Sequence, residues 1–176
     1  MLSDLKEILI TEEEIKSRIA VLGKQITEDF QNKDLFVMSV LKGSVIFLAD
    51  IVRQIHLPLE FGFVTISTYK DSIRPQNSPT VVNSTIPNIR SRDVLLVEDI
   101  LDTGATLKFA VEWTLSLGAS GVKTCVLVAK EGFENCWYPN PDYIGFKIPN
   151  RFVVGYGLDC GERYRNLPCI GVLPRR

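Results

Sequence analysis

Three carboxylates and a small hydroxyl-rich loop lie within nine residues: Glu98, Asp99, then Asp102-Thr103-Gly104-Ala105-Thr106. Before them Val94 to Val97 is an unbroken apolar run, which predicts a strand buried on both faces. After them Leu107, Ala110, Val111 and Leu115 recur at helical spacing, with Gly118 placed to stop the helix. A strand, a small-residue loop and a helix start make an anion site. Backbone N–H groups and the helix dipole point outward, and the Thr103 and Thr106 hydroxyls add donors. The dipole supplies only about 0.3–1 kcal/mol per charge, up to ~2 when partly buried, so backbone donors must carry much of the phosphate binding. Glu98 and Asp99 would repel that phosphate if they faced it. They are read instead as facing neutral hydroxyls or a bound cation, from opposite sides of an extended chain.

Two common phosphate motifs, G-x-x-x-x-G-K-[ST] and G-x-G-x-x-G, are absent. Asp102-Thr103-Gly104 also matches the aspartic-protease signature. That chemistry needs two aspartates sharing a proton, so with one such triplet a protease would have to be a homodimer of an all-β fold. The helical patterns argue against it.

The elements that must position these groups can be read along the chain. Residues 1 to 33 read as helical. Thr11 and Glu14 form a capping box, and Ile15, Ile19, Leu22, Ile26 and Phe30 make one apolar stripe. Leu35 to Leu41 is a second buried strand. Lys42-Gly43-Ser44 follows, then an apolar helix from Val45 to about Arg53. On its residues alone this loop is a strand–helix turn with Ser44 as N-cap. Leu59 to Tyr69 reads as a strand, Lys70 to Pro79 as a long polar loop that is either a connector or a lid, and Thr80 to Asn83 as a short strand pairing back. Val122 to Ala129 is another apolar strand, ending at Lys130, whose plain reading is a side chain snorkelling to solvent. Glu131 to Pro141, with Trp137 and Tyr138, is an irregular loop. Phe152 alone reads as core packing, and Cys169 to Leu173 as a last strand.

One domain spanning residues 1–176 accommodates the length. The chain is 45% apolar and 23% charged, with 20 basic and 21 acidic residues and a net charge of −1. That balance gives no general drive toward nucleic acid or an anionic membrane. No apolar run approaches the ~20 residues that cross a bilayer. Cys125, Cys136, Cys160 and Cys169 show no C-x-x-C spacing and are read as reduced thiols in a cytoplasmic protein. His56, the one histidine, sits in a turn and reads as a capping or surface residue, which leaves a carboxylate, lysine or tyrosine for any general base.

The stretch Glu98 to Thr106 closely resembles the phosphoribosyl-pyrophosphate (PRPP) motif of type I phosphoribosyltransferases. Leu41-Lys42-Gly43-Ser44 and the run Arg151 to Asp159 resemble two further segments of the hypoxanthine-guanine branch. The resemblance covers most of the chain from Leu35 onward. It implies an α/β fold: a mainly parallel sheet flanked by helices, ligands at the strands' C-terminal ends, and a small C-terminal hood formed mainly by about 131–176. It implies Mg²⁺-dependent transfer of a 5-phosphoribosyl group from PRPP to N9 of a 6-oxopurine base, hypoxanthine or guanine. In that scheme Glu98 and Asp99 grip the ribose hydroxyls, and Asp102, Thr103, Gly104, Ala105 and Thr106 cradle the 5′-phosphate. Asp102 is the general base. Lys42, Gly43 and Arg165 meet pyrophosphate, partly through N–H groups exposed by a cis peptide. Ile100, Lys130, Phe152, Val153 and Asp159 form the purine site, with Lys130 donating to O6 and Phe152 stacking on the ring. Asp159, Glu98 and Asp99 are the metal candidates. Thr68 and Tyr69 begin a segment that closes over the ribose. The family implies a homodimer or homotetramer with no nucleic-acid or membrane partner. The rival reading is a nucleic-acid-binding regulator that senses PRPP or nucleotides on the same fold. It needs a basic face that the charge balance does not supply.

Overall fold

A computed structural model describes residues 1–67, 79–132 and 140–174. A 3-10 turn, Leu2–Asp4, leads into strand β1, Glu7–Ile10, so the N-terminal region is not helical throughout as its sequence suggests. β1 pairs antiparallel with the last strand, β8 (Ile170–Val172), and long-range pairing of this kind leaves no local periodicity to read. Helix α1, Glu12–Asp29, begins with the expected box: Glu14 N–H donates to Thr11 Oγ1 and Thr11 N–H to Glu14 Oε2. Its stripe, Ile15 to Phe30, is 0–3% exposed, and burial of about 1.5–3 kcal/mol per side chain outweighs the box as the source of its stability.

The main sheet has strands β2 (Leu35–Leu41), β3 (Glu60–Ser67), β4 (Thr80–Thr85), β5 (Asp93–Leu101), β6 (Gly121–Lys130) and β7 (Tyr143–Ile148), in the order β4-β3-β2-β5-β6-β7. All neighbours are parallel except β4, which runs antiparallel to β3 as the hairpin reading requires. Helix α2, Val45–Ile51, follows β2, and α3, Ala105–Ser116, follows β5. α1 and α2 cover one face with Val37, Leu95, Val97 and Leu127; α3 covers the other with Phe36, Met38, Leu96 and Val126. This α/β architecture disposes of the aspartic-protease reading.

The hood differs from expectation in two ways. β7 is an edge strand of the main sheet, and β1 comes from the N-terminal end. Val153, Tyr156, Leu158, Ile170 and Val172 share their core with α1, and the Tyr156 hydroxyl donates to Asp50 on α2. On β7, Arg18 of α1 donates to the Ile144 and Gly145 carbonyls at 2.6 and 2.9 Å. No helix among the described residues is long and apolar enough to cross a membrane.

Gly118 takes φ +89 at the end of α3, as its helix-stop role requires. Ser91 has φ +62, a region that L side chains visit at a cost. Ser91→Gly should therefore raise unfolding stability by roughly 0.5–1 kcal/mol, readable as a higher urea midpoint at unchanged slope. A lower midpoint would show that the serine side chain, not its backbone, matters there.

Candidate active site

The strand order changes direction between β2 and β5: the chain adds β3 and β4 on one side and β6 and β7 on the other. Open parallel sheets bind ligands at the carboxyl ends of strands at such a switch point. Lys42-Gly43-Ser44 leaves the end of β2, and Glu98-Asp99 lies among the last residues of β5, so both anticipated segments flank that crevice.

β5 runs on through Glu98 and Asp99 to Leu101, beyond the short strand expected. Its alternation slips there. Leu95 and Val97 face the α1 side and Leu96 the α3 side, yet Ile100 packs on the α1 side and Leu101 on the α3 side. At the slip, Ile100 N–H donates to Asp99 Oδ1 at 2.9 Å. The two carboxyls therefore do not diverge as an ideal strand would make them; each bears on the other's charge. Burial, then the neighbouring Asp99 charge and the Asp99 hydrogen bond, pushes Glu98 well above the usual carboxylate range. Burial also raises Asp99, against hydrogen bonds from Glu98 and Ile100 and the Arg165 charge. Glu98 Oε2 is buried with no partner.

Gly43 packs against Asp99: a Cβ added at Gly43 would lie 1.6 Å from Asp99 Oδ2. On the hood side, Gly157, at φ +101, abuts the same loop; a Cβ there would lie 1.9 Å from the Gly43 carbonyl oxygen. The Leu41–Lys42 peptide is cis, as the resemblance implies. Ser44 does not cap α2 with its side chain. Its hydroxyl donates back to the Val40 carbonyl and meets Ser39 Oγ at 2.6 Å, tying the loop to β2.

Beyond β5, Gly104 is the N-cap of α3 at φ +77, and no side chain caps the helix. Ala105 N–H meets Thr103 Oγ1 only at 3.5 Å. A first turn with uncapped N–H groups and exposed Asp102, Thr103 and Ala105 suits a phosphate. Asp102 reaches across to β6: Lys130 Nζ donates to its Oδ2 at 2.8 Å. Lys130 is 13% exposed and Asp102 54%, so the lysine turns into the crevice rather than snorkelling away from it.

The hood brings Asp159 and Arg165 together, Arg165 Nη2 to Asp159 Oδ1 at 2.9 Å, while Arg165 Nη1 donates to the Gly157 carbonyl at 2.7 Å. Glu162, which sequence reasoning missed, joins Arg165 at 3.3 Å and Lys42 at 3.2 Å. Its signal was a charged residue next to a glycine inside Asp159 to Arg165, which marks a turn tip. Val153 is buried in the shared core. Phe152 is 60% exposed, which overturns plain core packing. It lines a cavity of about 1160 Å³ with Asp4, Lys6, Arg163 and Tyr164 that holds no other predicted site residue. Thr68 and Tyr69 lie outside the described residues, as do Trp137 and Tyr138.

Among the described residues no three His, Cys, Asp or Glu side chains cluster as a ready-made metal cage. The donor set fits Mg²⁺ nonetheless. That ion keeps waters and substrate oxygens and needs only one or two carboxylates, which Asp159 and the Glu98-Asp99 pair offer.

Comparison with known proteins decides among families. A family model for the phosphoribosyl transferase domain matches residues 6–160. The hypoxanthine-guanine phosphoribosyltransferase of Bacillus subtilis is 38% identical over 173 residues, covering 98% of this chain and 96% of its own length. The chain belongs to the hypoxanthine-guanine phosphoribosyltransferase family. A crystal structure of a hypoxanthine phosphoribosyltransferase from Staphylococcus aureus superimposes with a TM-score of 0.91 at 39% identity, over 99% of this chain and 94% of that one. The chain also spans 26% of the length of the bifunctional protein TilS/HprT of Listeria innocua, at 38% identity. The phosphoribosyltransferase fold thus accounts for the parallel sheet, the two loops at its switch point and the hood above them.

The buried Glu98 gives a pH signature. Its folded-state value is raised, so the stability it contributes is full below its ordinary value of 4.5 and is lost as pH rises toward the folded value. Glu98→Gln keeps the uncharged form at every pH. It should melt higher than the parent at pH 7 and converge with it near pH 4. Parallel melting profiles across that range would show that Glu98 is ionised in the folded protein.

Proposed function

We propose that the chain transfers the 5-phosphoribosyl group of PRPP to N9 of hypoxanthine or guanine, releasing pyrophosphate and a purine nucleoside monophosphate for purine salvage. The observation that carries this reading is the Lys130–Asp102 pair at 2.8 Å. A 6-oxopurine presents O6 and N7 side by side on one edge, and a lysine donor next to a carboxylate acceptor matches that edge when N7 bears a proton.

In the transfer, the N9–C1′ bond forms as the bond from C1′ to pyrophosphate breaks. Lys130 donates to O6, and Asp102 accepts the N7 hydrogen bond or takes the proton that the base must shed. Phe152 stacks on the ring, adding about 0.5–1.5 kcal/mol beyond its buried area, and Ile100 belongs to the same purine site. Val153 reads the base edge through its backbone. The uncapped turn from Asp102 to Thr106 holds the 5′-phosphate. Asp99 and Glu98 meet the ribose hydroxyls, and their carboxyls lie where positive charge develops at C1′. The Lys42-Gly43 loop and Arg165 receive the leaving pyrophosphate. Asp159 and the Glu98-Asp99 pair would hold Mg²⁺ together with substrate oxygens and waters, and the ion would supply charge neutralisation for that leaving group. Thr68 and Tyr69 complete the reading as the start of the segment that shields the ribose. The free thiols Cys125, Cys160 and Cys169 fit a cytoplasmic protein, and a homodimer or homotetramer without nucleic-acid or membrane partners completes the proposal.

Absorbance is followed with PRPP, Mg²⁺ and each of hypoxanthine, guanine, xanthine, adenine and uracil. Turnover with hypoxanthine or guanine is expected; turnover with uracil alone, or with none, sinks the reading. Asp102→Asn should lower kcat by roughly 10²-fold or more with the PRPP KM spared. Lys130→Ala should raise KM for 6-oxopurines and leave PRPP affinity unchanged. A change confined to melting temperature would restore the snorkelling role.

A further inference from the structure

Lys42, on the loop assigned above to pyrophosphate, and Arg165 both bring their charged ends to one carboxylate. Glu162 Oε2 lies 3.2 Å from Lys42 Nζ, and Glu162 Oε1 lies 3.3 Å from Arg165 Nη2. Lys42 leaves the end of β2, whereas Glu162 sits 120 residues later in the hood. The turn that carries it is closed by Cys160 and Arg163, whose N–H groups donate to each other's carbonyls at 3.1 and 3.3 Å. Glu162 itself has φ +65, and its N–H donates to Asp159 Oδ2 at 2.9 Å. Glycine, asparagine or aspartate would be the ordinary choice for a left-handed tip. A glutamate there places a long anionic side chain over the pyrophosphate loop at a conformational cost. Strained residues of this sort gather at functional sites. The hydrogen bond and charge of Lys42, then the charge of Arg165, hold the Glu162 carboxyl below its usual range, so it is anionic at neutral pH.

We propose that Glu162 is a resident competitor for the leaving group. Its carboxylate occupies the Lys42 and Arg165 donors in the unliganded chain, yields them as the pyrophosphate of PRPP enters, and reclaims them as pyrophosphate departs. The inference rests on the assignment of Lys42 and Arg165 to pyrophosphate. The contact is suited to exchange. Lys42 and Glu162 are 68% and 65% exposed, and ion pairs this open hold weakly in water. A pyrophosphate with several charges outcompetes them, yet their return favours release. Arg165 stays in place during the exchange, because the Gly157 carbonyl holds its Nη1 and Asp159 shares the Nη2 that Glu162 meets. Glu162 touches neither ribose nor base in this scheme, so it acts on binding and release through the two cations.

Two variants test it. Glu162→Gln removes the charge and keeps the shape; Glu162→Gly removes the charge and relieves the left-handed backbone. Calorimetric titration with pyrophosphate and Mg²⁺ reads the effect without turnover, and steady-state kinetics reads it during turnover. Both variants should bind pyrophosphate roughly 3–10-fold more tightly than the parent, the range expected from losing two exposed ion-pair competitors. The PRPP KM should fall in step, with the hypoxanthine KM unchanged. Weaker or unchanged pyrophosphate binding in Glu162→Gln would make Glu162 a plain positioning residue and overturn the proposal. Tightening in Glu162→Gly alone would assign the effect to the backbone and overturn it as well. A parent protein that binds pyrophosphate without turning over any purine separates failure of the proposed reaction from failure of this inference. A parent that binds none overturns both.

Discussion

The carboxyl end of the sheet is organised by how closely three segments approach at Gly43. The Asp99 carboxylate occupies the place of a side chain on that residue, and Gly157 of the hood presses on its carbonyl from elsewhere. Neither contact survives an added Cβ without movement. Asp99 could swing aside only by giving up the Ile100 N–H, and the Gly43 carbonyl is backbone with nowhere to go. This stacking brings the acidic end of β5, the Lys42-Gly43 loop and the Arg165-bearing hood within range of one another. Opposite charges can then exchange partners over a few ångströms. At such separations in a partly buried crevice, Coulomb terms of a few kcal/mol are at stake, against about 1 kcal/mol in open water.

Much of this was legible in the chain itself. β2, β5 and β6 announced themselves as apolar runs, α1 through its capping box and stripe, and the Asp102–Thr106 turn through its small residues ahead of a helical pattern. What escaped has a common cause. The β1–β8 pair depends on partners at opposite ends of the chain. The slip in β5 depends on Asp99 capturing its neighbour's N–H, which the rule of alternating side chains cannot foresee. Ser44 looked like a helix cap because serine before an apolar helix commonly is one, but its hydroxyl found the Val40 carbonyl first. Glu162 went unnoticed because a charge in a turn is ordinarily a solvated charge. Only the fold reveals that Lys42 stands opposite it.

The site also divides its electrostatic work by depth. Glu98, buried and next to Asp99, is pushed toward its neutral form; Glu162, exposed and facing two cations, is pulled toward its anionic form. The same side-chain chemistry is thus biased toward its neutral form at the buried end of β5 and toward its charged form at the exposed turn of the hood. Tyr156 ties the rim to α2 through Asp50, so the hood and the helix after the Lys42-Gly43 loop share one anchor.

The contact between Arg18 and β7 bears on how copies of this chain can meet. An edge strand offers unpaired backbone groups to any passing strand, and open sheets that leave such an edge bare invite runaway stacking. Arg18 occupies the Ile144 and Gly145 carbonyls from within the same molecule and sets a charged group along that border. The six-stranded sheet is thereby discouraged from growing by recruitment at β7.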